Sequence, residues 1–408
     1  MILPEYLPDL PEVRMDLARY YDSIHGMDRR VGAILKELEE DGLADETIVF
    51  YFSDHGGSLP RSKSFVYDSG THVPLVVRIP EKWAHLRPAE PGAVSEQIVS
   101  FVDFPATVLS LAGLEAPDYM QGQAFMGPFK EAPREFAHVF RGRRGERYDS
   151  VRGVRSKEFL YLRNYSPHLP VIQYNGYSFQ LPSYPAWQAA WERGECTPEQ
   201  ALWFEPKPRE ELYFTVDDPD NVRNLAADPR YAAVLRAHRE ANKRHLLAIR
   251  DSVFFPEGTR GRGFEAYQND ASYPMKTLIE VTNTVDVSQL IDFMQADHPL
   301  VRYWAVCGLL DQGEAARPAI PRLIELLQDE EPATRLEAAR ALVGLDELEA
   351  AAPVLERDLA VQGNNRTLRA LLVIDDFNLL ERKPEWRPLV AKAKGAYTDR
   401  LVQKLLGE

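Results

Sequence analysis

The sequence predicts an α/β unit followed by an all-helical unit, and three observations carry that reading. Thr47-Ile48-Val49-Phe50-Tyr51-Phe52 is an apolar, β-branched and aromatic run that ends at once in Ser53-Asp54-His55-Gly56. A second apolar run over 74–79 follows a short polar loop, and a long amphipathic segment precedes both. From Asp286 onward the pattern repeats, with Pro299 and Pro332, like Arg302 and Arg335, each 33 residues apart. Continuous apolar runs are what strands buried in a parallel sheet show. A fixed period of a few tens of residues marks stacked helical units.

In chain order, residues 10–41 read as a helix with Leu17, Tyr20, Tyr21, Ile24, Met27, Val31, Ile34, Leu35 and Leu38 on one broad face. That face is expected to cover the sheet edge formed by 47–52 and 74–79. Asp54 and His55 fall at the carboxyl end of the first strand, where open α/β sheets present their ligand sites. A carboxylate and an imidazole suit a divalent cation, and Gly56 permits unusual backbone angles in a tight exit loop. By itself the tetrapeptide reads equally well as an ordinary polar turn. The same loop carries Arg61, Lys63 and His72 before the second strand begins. Residues 101–113 read as a helix capped by Asp103 and ending near Gly113, and Gly122, Gly127, Pro128 and Pro133 mark an irregular connection. Residues 150–155 and 159–163 form a hairpin turning through 156–158. The aromatic stretch 164–205 reads more simply as packing of a loop-rich segment than as a stacking surface for sugar, and His168 within it as a structural or solvent-facing residue. Thr197, Pro198 and Gln200 make a helix start, which accounts for Cys196-Thr197-Pro198 without a catalytic cysteine. Cys307 lies in an apolar helical pattern and reads as a small buried hydrophobe.

The loop resembles the sulfatase family of the alkaline phosphatase superfamily. There, a strand ends in Ser-Asp-(Asn or His)-Gly, a lysine follows, and an aromatic-acidic-x-Gly segment leads into a Pro-Leu-(Ile/Val)-Val-Arg strand. Lys63, Tyr67-Asp68-Ser69-Gly70 and Pro74-Leu75-Val76-Val77-Arg78 match that order. So do Tyr20 to Leu38 ahead of the strand, Ser100 to Thr107 after it, and Glu211-Leu212-Tyr213 with Asp218-Pro219, Asn224-Leu225-Ala226 and Asp228-Pro229. The helical repeat resembles HEAT units, with a weaker third copy around Arg369. The resemblance implies an α/β fold: an alkaline phosphatase-like sulfatase core, consisting of the C-terminal part of the sheet (1–130) and a small antiparallel subdomain (131–255). A linker (256–285) and a HEAT-like repeat domain (286–408) follow.

The resemblance also implies roles. Asp54 and His55 would be metal ligands for calcium or, given the softer imidazole, manganese. Lys63 would act on the sulfate as the bond breaks, with Arg61 and His72 as further substrate contacts. The substrate would be a small-molecule or glycan sulfate ester or sulfamate, as for an arylsulfatase or N-sulfoglucosamine sulfohydrolase, and the compartment periplasmic or extracellular by family alone. A phosphoester or phosphonate hydrolase of the same superfamily, or a non-catalytic remnant that binds partners through its repeats, are the alternatives. The family's Cys/Ser-x-Pro-x-Arg nucleophile element has no match in the chain. The expectation is therefore the C-terminal portion of a sulfatase, inactive alone and exposing a sheet edge and apolar faces.

Composition limits the partners. With 48 Lys and Arg against 62 Asp and Glu, the net charge is −14. That disfavours a general nucleic-acid or anionic-membrane surface, so any anionic substrate has to be held by local cations. Two cysteines in different regions give no disulfide framework. No apolar run approaches the ~18–20 residues that cross a bilayer. The helical array suits a protein or self contact, or a stabilising cap.

Overall fold

The computed structural model describes residues 2–257, 266–361, 365–395 and 397–407. Helix α1 (Pro11–Glu40) starts with proline at its first position, as a residue without an N–H can. Strand β1 (Val49–Phe52) leads through the one-turn helix α2 (Asp68–Thr71) to β2 (Leu75–Arg78). The pairing differs from the expected parallel sheet: β1 and β2 form a two-stranded antiparallel sheet in which Tyr51 faces Val76. Apolar continuity in two short strands does not distinguish the two pairings, and here the loop simply folds back.

The covering by α1 is also narrower than expected. Only Val13, Asp16 and Leu17 of the helix are buried. Met27 touches the Tyr51 hydroxyl, but Tyr21, Ile24, Ile34 and Leu35 stand exposed, as do Phe52 and Val76 on the strands. Helix α3 (Asp103–Leu111) runs as expected to a left-handed Gly113. Asp103 does not cap it. Its carboxylate instead accepts from the Ser100 and Gln123 amides and pairs with Arg134, which ties the irregular connection back to the helix.

A four-stranded antiparallel sheet follows, ordered β3 (Ala137–Arg144), β4 (Arg147–Arg155), β5 (Phe159–Asn164) and β6 (Glu210–Phe214), with the predicted hairpin as β4–β5. Between β5 and β6 lie α4 (Ser183–Glu192) and α5 (Pro198–Ala201). The capping box at Thr197 and Gln200 is present. Cys196 is half-buried, and burial pushes its thiol above the usual range, which agrees with a structural role. The aromatic stretch is mostly core: Tyr165, Tyr184, Trp187, Trp203 and Phe204 are buried. Helix α6 (Ala232–Ile249) packs on β4 and β5.

The helical unit comprises α7 (Met275–Asn283), α8 (Val287–Phe293), α9 (Pro299–Cys307), α10 (Ile320–Leu326), α11 (Pro332–Gly344), α12 (Leu348–Ala360), α13 (Asn365–Asp376), α14 (Leu379–Arg382), α15 (Arg387–Lys392) and α16 (Asp399–Leu406). The 33-residue period has a physical cause. Arg302 donates to the carbonyls of Ala296 and Asp297, and Arg335 to those of Asp329 and Glu330, so each arginine closes the loop that precedes its own helix. Arg302 also reaches the Asp329 carboxylate at 2.7 Å and so joins one repeat to the next. The third copy departs from this, since Arg369 pairs with Glu337 and the Glu257 carbonyl. Cys307 is buried, and burial pushes its thiol up.

The expected linker is not one throughout. Met275, Leu278 and Val281 of α7 are buried in the same core as α9, as are Val253 and Phe254 before it. Residues 258–265 of that stretch lie outside the described residues. Ion pairs join the two units: Arg147 reaches Asp375 and Asp376, and Arg209 reaches Asp311 at 2.6 Å. Among the described residues no helix is long and apolar enough to cross a membrane.

Candidate active site

The loop between β1 and β2 is built by close backbone approach. Gly56 donates to the Gly70 carbonyl at 3.0 Å. A Cβ at Gly56 would lie 1.9 Å from the Ser69 carbonyl oxygen, so glycine is required there for space, not for the unusual dihedral angles expected of it. The same holds for Gly70, where a Cβ would lie 2.3 Å from the Phe65 carbonyl oxygen. Ser62 and Ser69 hydroxyls donate across the loop to the carbonyls of Ser69 and Arg61 at 2.6 and 2.7 Å. Arg61 and Ser64 adopt left-handed backbone angles (φ 58° and 72°) on either side of Lys63, a cost that non-glycine residues bear only where their surroundings enforce it.

Asp54 and His55 come together at the end of β1. His55 Nε2 lies 3.4 Å from an Asp54 carboxylate oxygen, and Asp54 is largely exposed. The other ring nitrogen, Nδ1, is 2.7 Å from the Gly56 carbonyl. A carbonyl only accepts, so Nδ1 donates to it, which leaves Nε2 as the ring nitrogen on the Asp54 side. This is one nitrogen and one carboxylate donor facing the same space. Calcium takes roughly six to eight oxygens and manganese about six ligands, so the pair fits as part of a cation site and not as a whole one. Among the described residues no group of three His, Cys, Asp or Glu side chains is arranged to hold a metal.

Lys63 is half-buried, with its ammonium 5.7 Å from the centre of the Tyr177 ring. His72 is exposed at the C-terminal end of α2. Arg61 corrects an expectation. It is fully buried, with its guanidinium 4.3 Å from the Tyr6 ring and 4.0 Å from those of Tyr67 and Trp203. It donates to the carbonyls of Asp220 and Asn221 at 2.6 and 2.9 Å. No substrate reaches it; Arg61 fastens the loop to the turn after β6. Asp68 does similar work through a two-toothed pair with Arg155 of β4, at 3.0 and 3.1 Å.

Two residues that sequence reasoning did not assign complete the surroundings of Lys63. Tyr177, exposed and from the aromatic stretch, is one. Arg144, at the end of β3, is the other: its guanidinium is 5.7 Å from the Tyr177 ring and 5.8 Å from that of Phe65. The only available signal was the dense run Arg141-Gly142-Arg143-Arg144 in an acidic chain. His168 borders a cavity of about 480 Å³ between the aromatic stretch and α11 and α13. Burial, helped by the nearby Arg340 guanidinium, holds its pKa down to about 4, so it is neutral there at pH 7.

Residues 5–114 match the sulfatase family model, and residues 287–374 match the model for HEAT repeats. The chain is 39% identical over 260 residues to an ulvan-active sulfatase of Formosa agariphila, an alignment covering 62% of this chain and 42% of that one. It is 29% identical over 260 residues to human N-sulphoglucosamine sulphohydrolase, covering 59% of this chain and 49% of the relative. The chain thus spans under half the length of these relatives, which are sulfatases. A solved structure of a protein in complex with its substrate D-glucosamine-2-N,6-O-disulfate matches at 21% identity with a TM-score of 0.40, over 56% of this chain and 40% of that one.

Proposed function

We propose, from the premise that residues 5–114 are sulfatase-family sequence and 287–374 are HEAT repeats, that the β1–β2 loop is the metal and sulfate edge of a sulfuric ester hydrolase acting on sulfated sugars. The observation that carries the reading is the loop itself. One short segment, pinned by Arg61 to the turn after β6 and by Asp68 to β4, presents an Asp54–His55 donor pair and a cation at Lys63 that has no carboxylate partner among the described residues.

In this reading Asp54 and His55 Nε2 are two ligands of a divalent cation, calcium by family and manganese by the nitrogen donor. When bound, the cation supplies positive charge to the sulfate oxygens. His55 Nδ1–H on the Gly56 carbonyl fixes the ring so that Nε2 faces outward. Lys63 places a point charge where negative charge grows on the ester oxygen as the S–O bond breaks. His72, exposed on the same loop, is a further substrate contact. The 408 residues contain no Cys/Ser-x-Pro-x-Arg element, so turnover by this chain alone is not expected.

Calorimetric titration with calcium and with manganese tests the metal half. Weak binding of at least one cation is expected, with Asp54→Ala and His55→Ala each lowering affinity at least tenfold. Equal binding by wild type and both variants, or metal-independent hydrolysis of 4-nitrophenyl sulfate, would remove the reading.

A further inference from the structure

Four arginines crowd the tip of the β3–β4 hairpin: Arg141, Arg143, Arg144 and Arg147. Three are spent on carboxylates. Arg141 lies 3.3 Å from Asp149, Arg143 pairs with Glu257, and Arg147 with Asp375 and Asp376. Among the described residues Arg144 alone of the four has none. It also faces Arg147 directly across the strands, a like-charge pair that costs stability unless something offsets it. What holds Arg144 is two ring faces, those of Phe65 and Tyr177. Ring faces attract the guanidinium without using its N–H groups.

Arg61 shows the contrast within the same molecule. Its rings are closer, but two backbone carbonyls take its donors and it is sealed from solvent. Arg144 is half-exposed and oriented by rings, and among the described residues nothing accepts from its donor fork. Phe65, which it covers, lies two residues beyond Lys63, and Lys63 sits at the same distance from the Tyr177 ring as Arg144 does, 5.7 Å. The two cations, which have no carboxylate partner among the described residues, thus share one exposed ring, each 5.7 Å from its centre. Arg141 also lies against the Phe65 ring, at 4.6 Å, but Asp149 neutralises it. In a chain of net charge −14, two unpaired cations from separate elements meeting at one exposed ring form an anion-selective spot.

We propose that Arg144 and Tyr177 bind a second anionic substituent of the sugar whose sulfate ester lies at Lys63: the guanidinium takes a carboxylate or second sulfate two-toothed, and the Tyr177 ring lies against the sugar. This rests on the sulfated-sugar reading above. It adds that the site selects doubly anionic sugars, and that Arg144 sets the selection. A planar guanidinium matches an oxyanion through two N–H bonds, which an ammonium does not.

The test is calorimetric titration of the full chain, with calcium present, using glucosamine 6-sulfate and glucosamine 2-N,6-O-disulfate. The disulfate is expected to bind about tenfold more tightly than the monosulfate. Arg144→Ala should bring the ratio near one, Arg144→Lys should leave it intermediate, and Lys63→Ala should weaken both sugars. A wild-type ratio of one, or a ratio unchanged in Arg144→Ala, overturns the assignment while leaving the sulfated-sugar reading standing. Failure of wild type to bind either sugar overturns both. Arg144→Lys keeps the charge and the ring contacts, so an unchanged ratio in that variant, correctly folded by its thermal midpoint, counts against the two-toothed contact even if Arg144→Ala misfolds.

Discussion

The helical repeat unit and the α1–β1–β2 region use their apolar side chains very differently. In α11, Leu336, Ala338, Ala339 and Leu342 are all sealed, and the helices on either side, α9 and α13, bury their faces in the same core. In α1, a helix of 30 residues, Tyr21, Ile24, Ile34 and Leu35 face solvent along with Phe52 and Val76 of the neighbouring strands. Both regions show a regular apolar pattern. The pattern says which face is available for burial; whether burial follows depends on a partner, which the stacked repeats supply to one another and α1 largely lacks among the described residues.

The sharpest way to break this comparison is paired truncation. Leu342→Ala, at a fully buried site, should cost about 2–5 kcal/mol in denaturant unfolding. Arg61→Met comes next, because it removes two hydrogen bonds and leaves two carbonyls facing an apolar group. A loss of about 2–4 kcal/mol is expected, with thermal unfolding of the variant as the measurement. Similar stability for Arg61→Met and wild type would show that the loop is held by other means.

The antiparallel sheet and its junction with the helical unit should separate by pH. His138 of β3 stacks on His245 of α6 with ring centres 3.4 Å apart, and burial, then His245 and Arg134, push its pKa down to about 4. The unfolded chain takes up that proton near the ordinary histidine value, so the folded state loses stability as pH falls from about 6.5 to 4; His168 shares the window. At the junction Asp376 acts lower. Burial alone would raise its pKa, but Arg147 and Arg340 hold it at about 2. Its contribution is complete above about pH 4 and fades toward pH 2. Unfolding midpoints measured across pH should show both steps, with His138→Phe flattening the upper one and Asp376→Asn the lower. The smallest effect is expected at Ile34, 65% exposed, where Ile34→Ala should change stability by no more than about 0.5 kcal/mol.

Much of the architecture was legible because it is written locally. The capping box at Thr197, the β4–β5 hairpin and the ends of α1 depend on residues a few positions apart, and the 33-residue period recurs visibly along the chain. The Asp54–His55 pair was legible for the same reason, being adjacent at a strand end. Other features were not. Antiparallel pairing of β1 and β2 is decided by how the loop folds back, and the place of α7 in the helical core by a partner in α9.

Arginine shows the division most clearly. From sequence, Arg61 lies beside Lys63 and looks like a substrate contact, while Arg144 is one of several in a basic run. Long-range neighbours reverse those roles: Tyr6, Trp203 and the Asp220–Asn221 carbonyls close around Arg61, and Asp149, Glu257, Asp375 and Asp376 claim every arginine of the hairpin tip except Arg144. The chain by itself determined which segments are strand, helix and repeat, and that Asp54, His55 and Lys63 share one loop, because those depend on local pattern. Which cations remain free for a ligand was settled only by the tertiary structure, because a charge is neutralised by whatever partner the fold brings to it from far along the chain.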